Sequence, residues 1–121
     1  MESSNWTKYK IEIRERLKKF ALNILDLSGK ISLTPRGKAI NYQVVKSGTS
    51  MYVNYRATLR SRSKKEFYCK LSIVVEGTDE TEAWLGLLMA SGILKEEFIT
   101  ELHKECEEHL KILGSMRKRL S

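Results

Sequence analysis

Apolar residues recur at steps of three and four along four separate stretches of the chain, which is the period of an amphipathic α-helix. In the first stretch, from about Thr7 to Ile31, the apolar stripe consists of Ile13, Leu17, Phe20, Ile24 and Leu27. Gly29 stands near the end of this stretch, where glycine often terminates a helix. The pattern therefore predicts one long helix before the first turn.

A second helix is predicted to begin at Thr34 and Pro35. The threonine side chain can cap the free amide groups, and proline at the first helical position loses no hydrogen bond. The apolar stripe of this helix consists of Ile40, Val44, Met51 and Tyr55, with Gly48 at the intervening position. The helix is expected to end between Thr58 and Arg60.

Two further helices follow. Ser63 and Glu66 have the spacing of a capping box, which predicts the start of a third helix that Ser91-Gly92 ends. Its buried face is expected to consist of Phe67, Leu71, Val74, Thr81, Trp84, Leu85 and Leu88. The fourth helix is predicted from about Lys95, with acidic residues in its first turn and basic residues in its last, as the helix dipole favours. Its stripe consists of Ile99, Leu102, Cys106, Leu110, Leu113 and Met116.

The short connections between these helices predict the architecture. Only a few residues separate successive helices, and short links between long helices force neighbours to pack antiparallel. The chain has 121 residues, which is the size of one ordinary domain. We therefore predict an all-α fold, an antiparallel up-down-up-down four-helix bundle, with residues 1–121 forming a single domain.

The charges are unevenly distributed along the chain. There are 22 lysine and arginine residues against 15 aspartate and glutamate residues, a formal net charge of +7. Residues 1–75 carry a net charge of +11, and residues 76–121 carry a net charge of −4. This asymmetry indicates either a basic surface that meets a polyanion or opposite surfaces that meet each other.

Nothing in the sequence indicates export or membrane insertion. The N-terminus has no basic segment followed by an apolar one, and no run approaches the roughly 18–20 apolar residues of a membrane span. Cys69 and Cys106 are the only cysteines. In a protein that is not exported, they are expected to be reduced thiols. We therefore expect a cytoplasmic protein with no membrane association.

His103-x-x-Cys106-x-x-His109 brings together residue types that bind metals. A shared metal ion is one interpretation, and a buried Cys106 flanked by two histidines on the solvent side is the simpler one. The Glu-x-x-His repeat of di-iron bundles, the Gly-x-Ser-x-Gly elbow and Gly-rich phosphate loops do not occur. An acidic group is expected to form a solvated or salt-bridged face, with a cation site as the alternative: Glu76, Asp79, Glu80 and Glu82. We therefore predict no metal, no cofactor and no enzymatic activity.

An uncharged polar stripe runs along the second helix. It consists of Gln43, Ser47, Ser50 and Asn54, at steps of four, three and four. Small hydroxyl residues at this spacing allow helices to approach closely, because their hydroxyls bond to the backbone or to each other. We expect a helix or subunit contact here, and the lining of a pocket or pore is the alternative.

Basic residues crowd the end of the second helix and the turn into the third. They are Arg56, Arg60, Arg62, Lys64 and Lys65, and we name them the basic patch. The planar guanidinium group of arginine suits phosphate. Such a patch is typical of a surface that binds nucleic acid through phosphates and carries no sequence information.

An ordered series of motifs runs from Asn41 to Leu88. It comprises residues 41–50 (NYQVVKSGTS), 54–56 (NYR), 63–67 (SKKEF) and 79–85 (DETEAWL). In order and spacing, these motifs resemble the bacterial four-helix bundle family associated with 23S rRNA intervening sequences, also called S23 ribosomal proteins. Three positions depart from the family pattern: Ala57 stands where glutamate is usual, and Glu76-Gly77 stands where a Lys-Glu pair is usual.

The resemblance also carries implications for function. The family is similar to the accessory variability proteins of diversity-generating retroelements, which assemble as barrel-shaped homopentamers, bind nucleic acid through a basic surface and partner a reverse transcriptase. The resemblance therefore implies that this protein is a non-catalytic homopentamer that binds RNA or DNA and has a reverse transcriptase or another protein as partner. A protein-interaction scaffold with no direct nucleic-acid binding is the alternative.

Overall fold

The computed structural model describes residues 4–120, and four helices account for nearly all of them. Helix α1 comprises Ser4–Ser28, α2 Pro35–Leu59, α3 Lys64–Ser91 and α4 Glu97–Leu120. These helices confirm the predicted all-α fold. The first helix ends directly before Gly29 and not at Ile31, where it was expected to end.

Side chains and one glycine mark the ends of the middle helices. The Thr34 hydroxyl accepts a hydrogen bond from the Gly37 amide at 3.1 Å, and the Ser63 hydroxyl accepts one from the Glu66 amide at 3.0 Å. Gly92 has a φ of 73°, the left-handed conformation that ends many helices. The predicted starts of α2 and α3 and the predicted end of α3 are therefore confirmed.

Contacts between residues far apart in the chain establish the antiparallel order. At one end of the bundle, the Tyr55 hydroxyl of α2 donates a hydrogen bond to the Lys10 carbonyl of α1 at 3.0 Å. At the other end, Lys30 after α1 lies 3.5 Å from Glu96 before α4. Helix α1 packs against α2 and α4, and α3 completes the ring. Each helix thus runs opposite to its two neighbours.

On α1, α3 and α4, core residues recur at alternating steps of three and four, and α2 adds Ile40, Val44, Met51 and Tyr55 to the same core. The alternating residues are Lys10, Ile13, Leu17, Phe20, Ile24 and Leu27 on α1, Leu71, Val74, Thr78, Thr81, Leu85 and Leu88 on α3, and Ile99, Leu102, Cys106, His109, Leu113 and Met116 on α4. A sustained period of 3.5 residues is typical of helices that pack along their whole length.

Within residues 4–120, no helix is long and apolar enough to cross a membrane.

Helix α2 approaches α1 closely at Gly48. A Cβ atom added there would lie 3.0–3.2 Å from three side-chain carbons of Ile24. Such distances are shorter than ordinary packing allows, so the absence of a side chain permits this approach.

Candidate nucleic-acid interface

The basic patch lies at an end of the bundle where all four helices meet. In an up-down-up-down bundle, the first turns of α1 and α3 and the last turns of α2 and α4 share one end. A cleft at this end is lined by Trp6 of α1, Leu59 of α2, Phe67 of α3 and Leu120 of α4. We name residues 4–10, 56–66 and 114–120, which form this end, the basic end.

The basic end holds most of the excess positive charge. It contains ten basic residues and one acidic residue. The basic ones are Lys8, Lys10, Arg56, Arg60, Arg62, Lys64, Lys65, Arg117, Lys118 and Arg119. The opposite end, residues 25–38 and 86–101, contains four basic and four acidic residues. A field of one sign at one end attracts polyanions to that end.

The five side chains of the basic patch are accessible to a ligand. All of them are exposed, and within residues 4–120 none forms an ion pair. Arg56 lies 5.9 Å from the centroid of the Tyr52 ring, which orients its guanidinium group without neutralising it. By contrast, Arg16 in the middle of α1 is paired with Glu105 at 3.1 Å and Glu108 at 3.3 Å. The patch therefore presents the kind of charge that phosphates neutralise.

The uncharged stripe of α2 lies partly inside the bundle. Ser47 is buried, and its hydroxyl donates to the Gln43 carbonyl at 2.9 Å. The Ser50 hydroxyl donates to the Ser47 carbonyl at 3.0 Å, and Gln43, Ser50 and Asn54 are half-buried. The burial of Ser47 therefore agrees with a contact between helices. A subunit contact at Gln43, Ser50 and Asn54 stays a prediction.

Cys106 is buried, as the sequence predicts. Its thiol donates to the Thr78 carbonyl at 3.4 Å. Burial, together with nearby carboxylates such as Glu82 and Glu107, raises the pKa of the Cys106 thiol to about 12. The thiol therefore stays protonated and unreactive at neutral pH.

The prediction that both histidines lie on the solvent side is wrong for His109, which has no exposed surface. Its ring meets Phe20 edge to face, with the centroids 5.6 Å apart. A carboxylate oxygen of Glu105 lies 2.7 Å from Nε2, without the alignment of a hydrogen bond. Burial lowers the pKa of the His109 imidazole, and the attraction of Glu105 opposes this shift without cancelling it.

The other histidine joins α3 to α4. Nε2 of His103 lies 3.5 Å from a carboxylate oxygen of Glu82, and Nδ1 lies 3.4 Å from one of Glu107. One imidazole and two carboxylates, with ligand atoms within 4.8 Å of one another, form a donor set that zinc accepts. Carboxylates also lie close to one another and to histidines on many surfaces that hold no metal, so the cluster alone does not establish a metal site. Sequence reasoning missed it because Glu82 lies on a different helix.

Large apolar side chains remain on the outer faces of α1 and α2. Ile11 and Leu22 on α1, and Tyr42 and Val53 on α2, are between 41% and 63% exposed. The members of each pair are eleven residues apart, about three helical turns, so each pair shares a face. Ile73 and Leu87 on α3 are also more than half exposed, so three of the helices offer apolar side chains that another protein chain could cover.

The fold and the charge distribution define a class of protein, namely a small antiparallel four-helix bundle that concentrates basic side chains at one end. The family model for the 23S rRNA-intervening sequence proteins matches residues 9–115. The chain therefore belongs to this family, as the motifs between Asn41 and Leu88 predict.

A solved structure of the same family shows the same fold. It is a protein with unknown function from the S23 ribosomal protein family of Bacteroides thetaiotaomicron. The two chains share 27% sequence identity with a TM-score of 0.80, over 88% of this chain and 98% of the other. No curated protein matches the chain with significant similarity.

Proposed function

We propose that this protein is a non-catalytic accessory protein that binds RNA or DNA through its basic end, mainly by contacts to phosphates. The observation that carries the proposal is the charge of that end, which contains ten basic residues and one acidic residue. The name of the family, which refers to an intervening sequence of rRNA, supports a nucleic-acid partner. Such a partner would place the protein in the cytoplasm.

The basic patch would supply the central contacts. Its arginine side chains donate hydrogen bonds in a planar fork that matches phosphate oxygens, and lysine adds point charges. Phosphates are the same along any strand, so we expect weak sequence specificity and binding that depends strongly on salt.

Self-association is part of the proposal. The apolar faces of α1 and α2 offer an interface, and the family resemblance suggests a homopentamer. A ring would present the basic end five times, so that several weak contacts act together on one strand. Sedimentation equilibrium should then give the mass of five chains, and the mass of one chain would contradict this part. A reverse transcriptase is the protein partner that the resemblance suggests.

A scaffold that binds only proteins is the alternative, and the exposed apolar faces favour it. In that case the basic end would dock an acidic protein or the acidic half of a neighbouring subunit. The protein would then not be retained on heparin.

The test is a fluorescence-anisotropy titration of labelled structured RNA and duplex DNA at about 50 and about 200 mM salt. Five phosphate contacts predict a loss of affinity of about 500-fold over this fourfold change in salt. The absence of binding at the lower salt would contradict the proposal and favour the scaffold. Binding that does not respond to salt would show that phosphate contacts do not carry it.

A further inference from the structure

A cleft of about 440 Å³ opens at the basic end, between the start of α1, the α2–α3 turn and the end of α4. Two aromatic side chains line it, Trp6 and Phe67, and so do three cationic ones, Lys10, Arg62 and Lys64. Its volume lies within the range of about 300–1,000 Å³ that small-molecule sites occupy. Nucleotides are bound by cations that contact the phosphate and by aromatic rings that stack on the base, and this cleft supplies both.

Lys10 is the buried cation of the cleft. It is only 9% exposed, and Nζ lies 5.3 Å from the ring centroid of Trp6 and 5.6 Å from that of Phe67. The two rings hold the ammonium group in place by cation–π attraction. Arg62 and Lys64 are exposed, so they can move to meet a ligand that enters the cleft.

The α2–α3 turn adds a hydroxyl and a helix terminus. Oγ of Ser61 is buried and has no hydrogen-bond partner within residues 4–120. Buried hydroxyls in folded proteins are almost always hydrogen-bonded, so this one, on a residue that lines the cleft, has a donor to offer a ligand atom once the turn admits it. Ser63, which also lines the cleft, caps α3, a helix of 28 residues whose first turn combines the partial positive charge of a helix terminus with the Glu66 carboxylate. The Ser61 hydroxyl and the cations Arg62 and Lys64 therefore favour an anion with several oxygen atoms.

We propose that this cleft binds the phosphorylated end of a single-stranded nucleic acid. The terminal phosphate lies among Arg62, Lys64 and the Ser61 hydroxyl, near Lys10. The first base contacts the parts of the Trp6 and Phe67 rings that Lys10 and Tyr9 leave uncovered. The inference rests on the proposed function, because the rest of the strand follows the exposed basic patch out of the cleft.

The charge of the end group explains the preference for a terminal phosphate. A phosphomonoester carries about −1.5 to −2 charges near neutral pH, whereas a phosphodiester within the strand carries one. With cations a few ångströms away, the additional charge corresponds to a gain in affinity of about tenfold. A cleft of this size accommodates about one nucleotide, which suits the end of a strand better than its middle.

The experiment compares single-stranded RNA of about ten nucleotides with a 5′-phosphate, a 3′-phosphate or only hydroxyl ends, each labelled internally. Anisotropy near neutral pH should show about tenfold tighter binding of one of the two phosphorylated strands. The preference should shrink below about pH 6, where the monoester takes up its second proton. Equal affinities for all three strands would overturn the inference and leave the proposed function intact.

Two single variants separate the cleft from the patch. Arg62→Ala removes a cation that lines the cleft, and it should abolish most of the preference for the phosphorylated strand. Arg60→Ala removes the same charge two residues away, outside the cleft lining. It should lower the affinity for both strands equally and keep the preference for the phosphorylated strand. The same loss of preference in both variants would overturn the assignment to the cleft.

A free nucleoside monophosphate distinguishes a strand end from a free nucleotide. It carries the same phosphate and base, but it makes no contact with the patch, so it should compete only at much higher concentration than the phosphorylated strand. Competition at equal concentration would identify a free nucleotide as the ligand and overturn the strand-end inference. The absence of binding by every strand would overturn this inference, and the titration of structured RNA and duplex DNA would then show whether the proposed function fails with it.

Discussion

At the scale of single residues, two basic side chains occupy core positions that apolar residues usually fill. Lys10 places its ammonium group over two aromatic rings at the basic end. His109 lies within α4, where neither ring nitrogen makes a hydrogen bond within residues 4–120. Burial lowers the pKa of His109 below its ordinary value, which favours the neutral imidazole in the folded protein.

His109 should make the stability of the protein depend on pH. When the folded pKa is lower than the unfolded one, the unfolded chain binds more protons as the pH falls. The free energy of unfolding should therefore decrease from about pH 6.5 downwards, by about 1.4 kcal/mol for each unit of pKa depression, until the pH passes the folded pKa. His109→Leu should lose much less stability between about pH 7.5 and pH 5.5, measured by urea unfolding.

His103→Gln is the matched control, because it removes the half-buried histidine and leaves His109 in place. This variant should keep most of the decline that the wild-type protein shows. If His109→Leu declines as steeply as the wild-type protein, His109 does not titrate differently in the folded state.

At the scale of helices, the sequence predicts the starts of α2 and α3 and the end of α3 well because capping residues are local signals, whereas α1 begins at Ser4 and not Thr7, and α4 at Glu97 and not Lys95. Thr34, Ser63 and Gly92 act through hydrogen bonds or backbone conformation within one turn of the chain. The capping box is the exception. The Glu66 carboxylate pairs with Lys70 at 3.1 Å and makes no bond back to Ser63 within the described residues. The Glu66 carboxylate can reach either the Ser63 amide or the Lys70 ammonium group, and sequence spacing alone does not decide between these two partners.

The sequence is less informative about which face of α4 is buried. Between Cys106 and Leu113, the buried stripe can pass through either His109 or Leu110, since both fit helical spacing. Hydrophobicity favours Leu110. The regular alternation along α4 supports His109, which is buried, whereas Leu110 is half-buried. On α3, Thr78 is buried although it is polar, because its hydroxyl donates to the Val74 carbonyl at 2.7 Å.

Two glycines in helices should respond oppositely to substitution by alanine. Gly77 in α3 has no atom within 4 Å of an added Cβ, so Gly77→Ala should raise the free energy of unfolding by about 1 kcal/mol. Gly48→Ala would push a methyl group against Ile24, and it should lower that free energy by about 1–3 kcal/mol. Urea unfolding measures both variants, and changes of the same sign would contradict the packing described for α1 and α2.

At the scale of the whole molecule, the charges separate differently in space than along the chain. Residues 76–121 are acidic in sum, yet their last basic residues, Arg117, Lys118 and Arg119, fold back to the start of α1 and the basic patch. The patch itself is visible in the sequence. The cleft beside it is not, because it joins residues from all four helices. The Glu82–His103–Glu107 cluster escaped prediction for the same reason.

The central claim, that the basic end binds nucleic acid, is tested most directly with two double variants of equal charge. Arg60→Ala with Lys65→Ala removes two exposed cations at the basic end, and Arg36→Ala with Lys38→Ala removes two exposed cations at the opposite end. At about 100 mM salt, the first variant should bind duplex DNA and structured RNA about tenfold more weakly or worse. The second should bind nearly as the wild-type protein does, and neither should change the free energy of unfolding much. Equal losses in both variants, or no loss in the first, would contradict binding at the basic end.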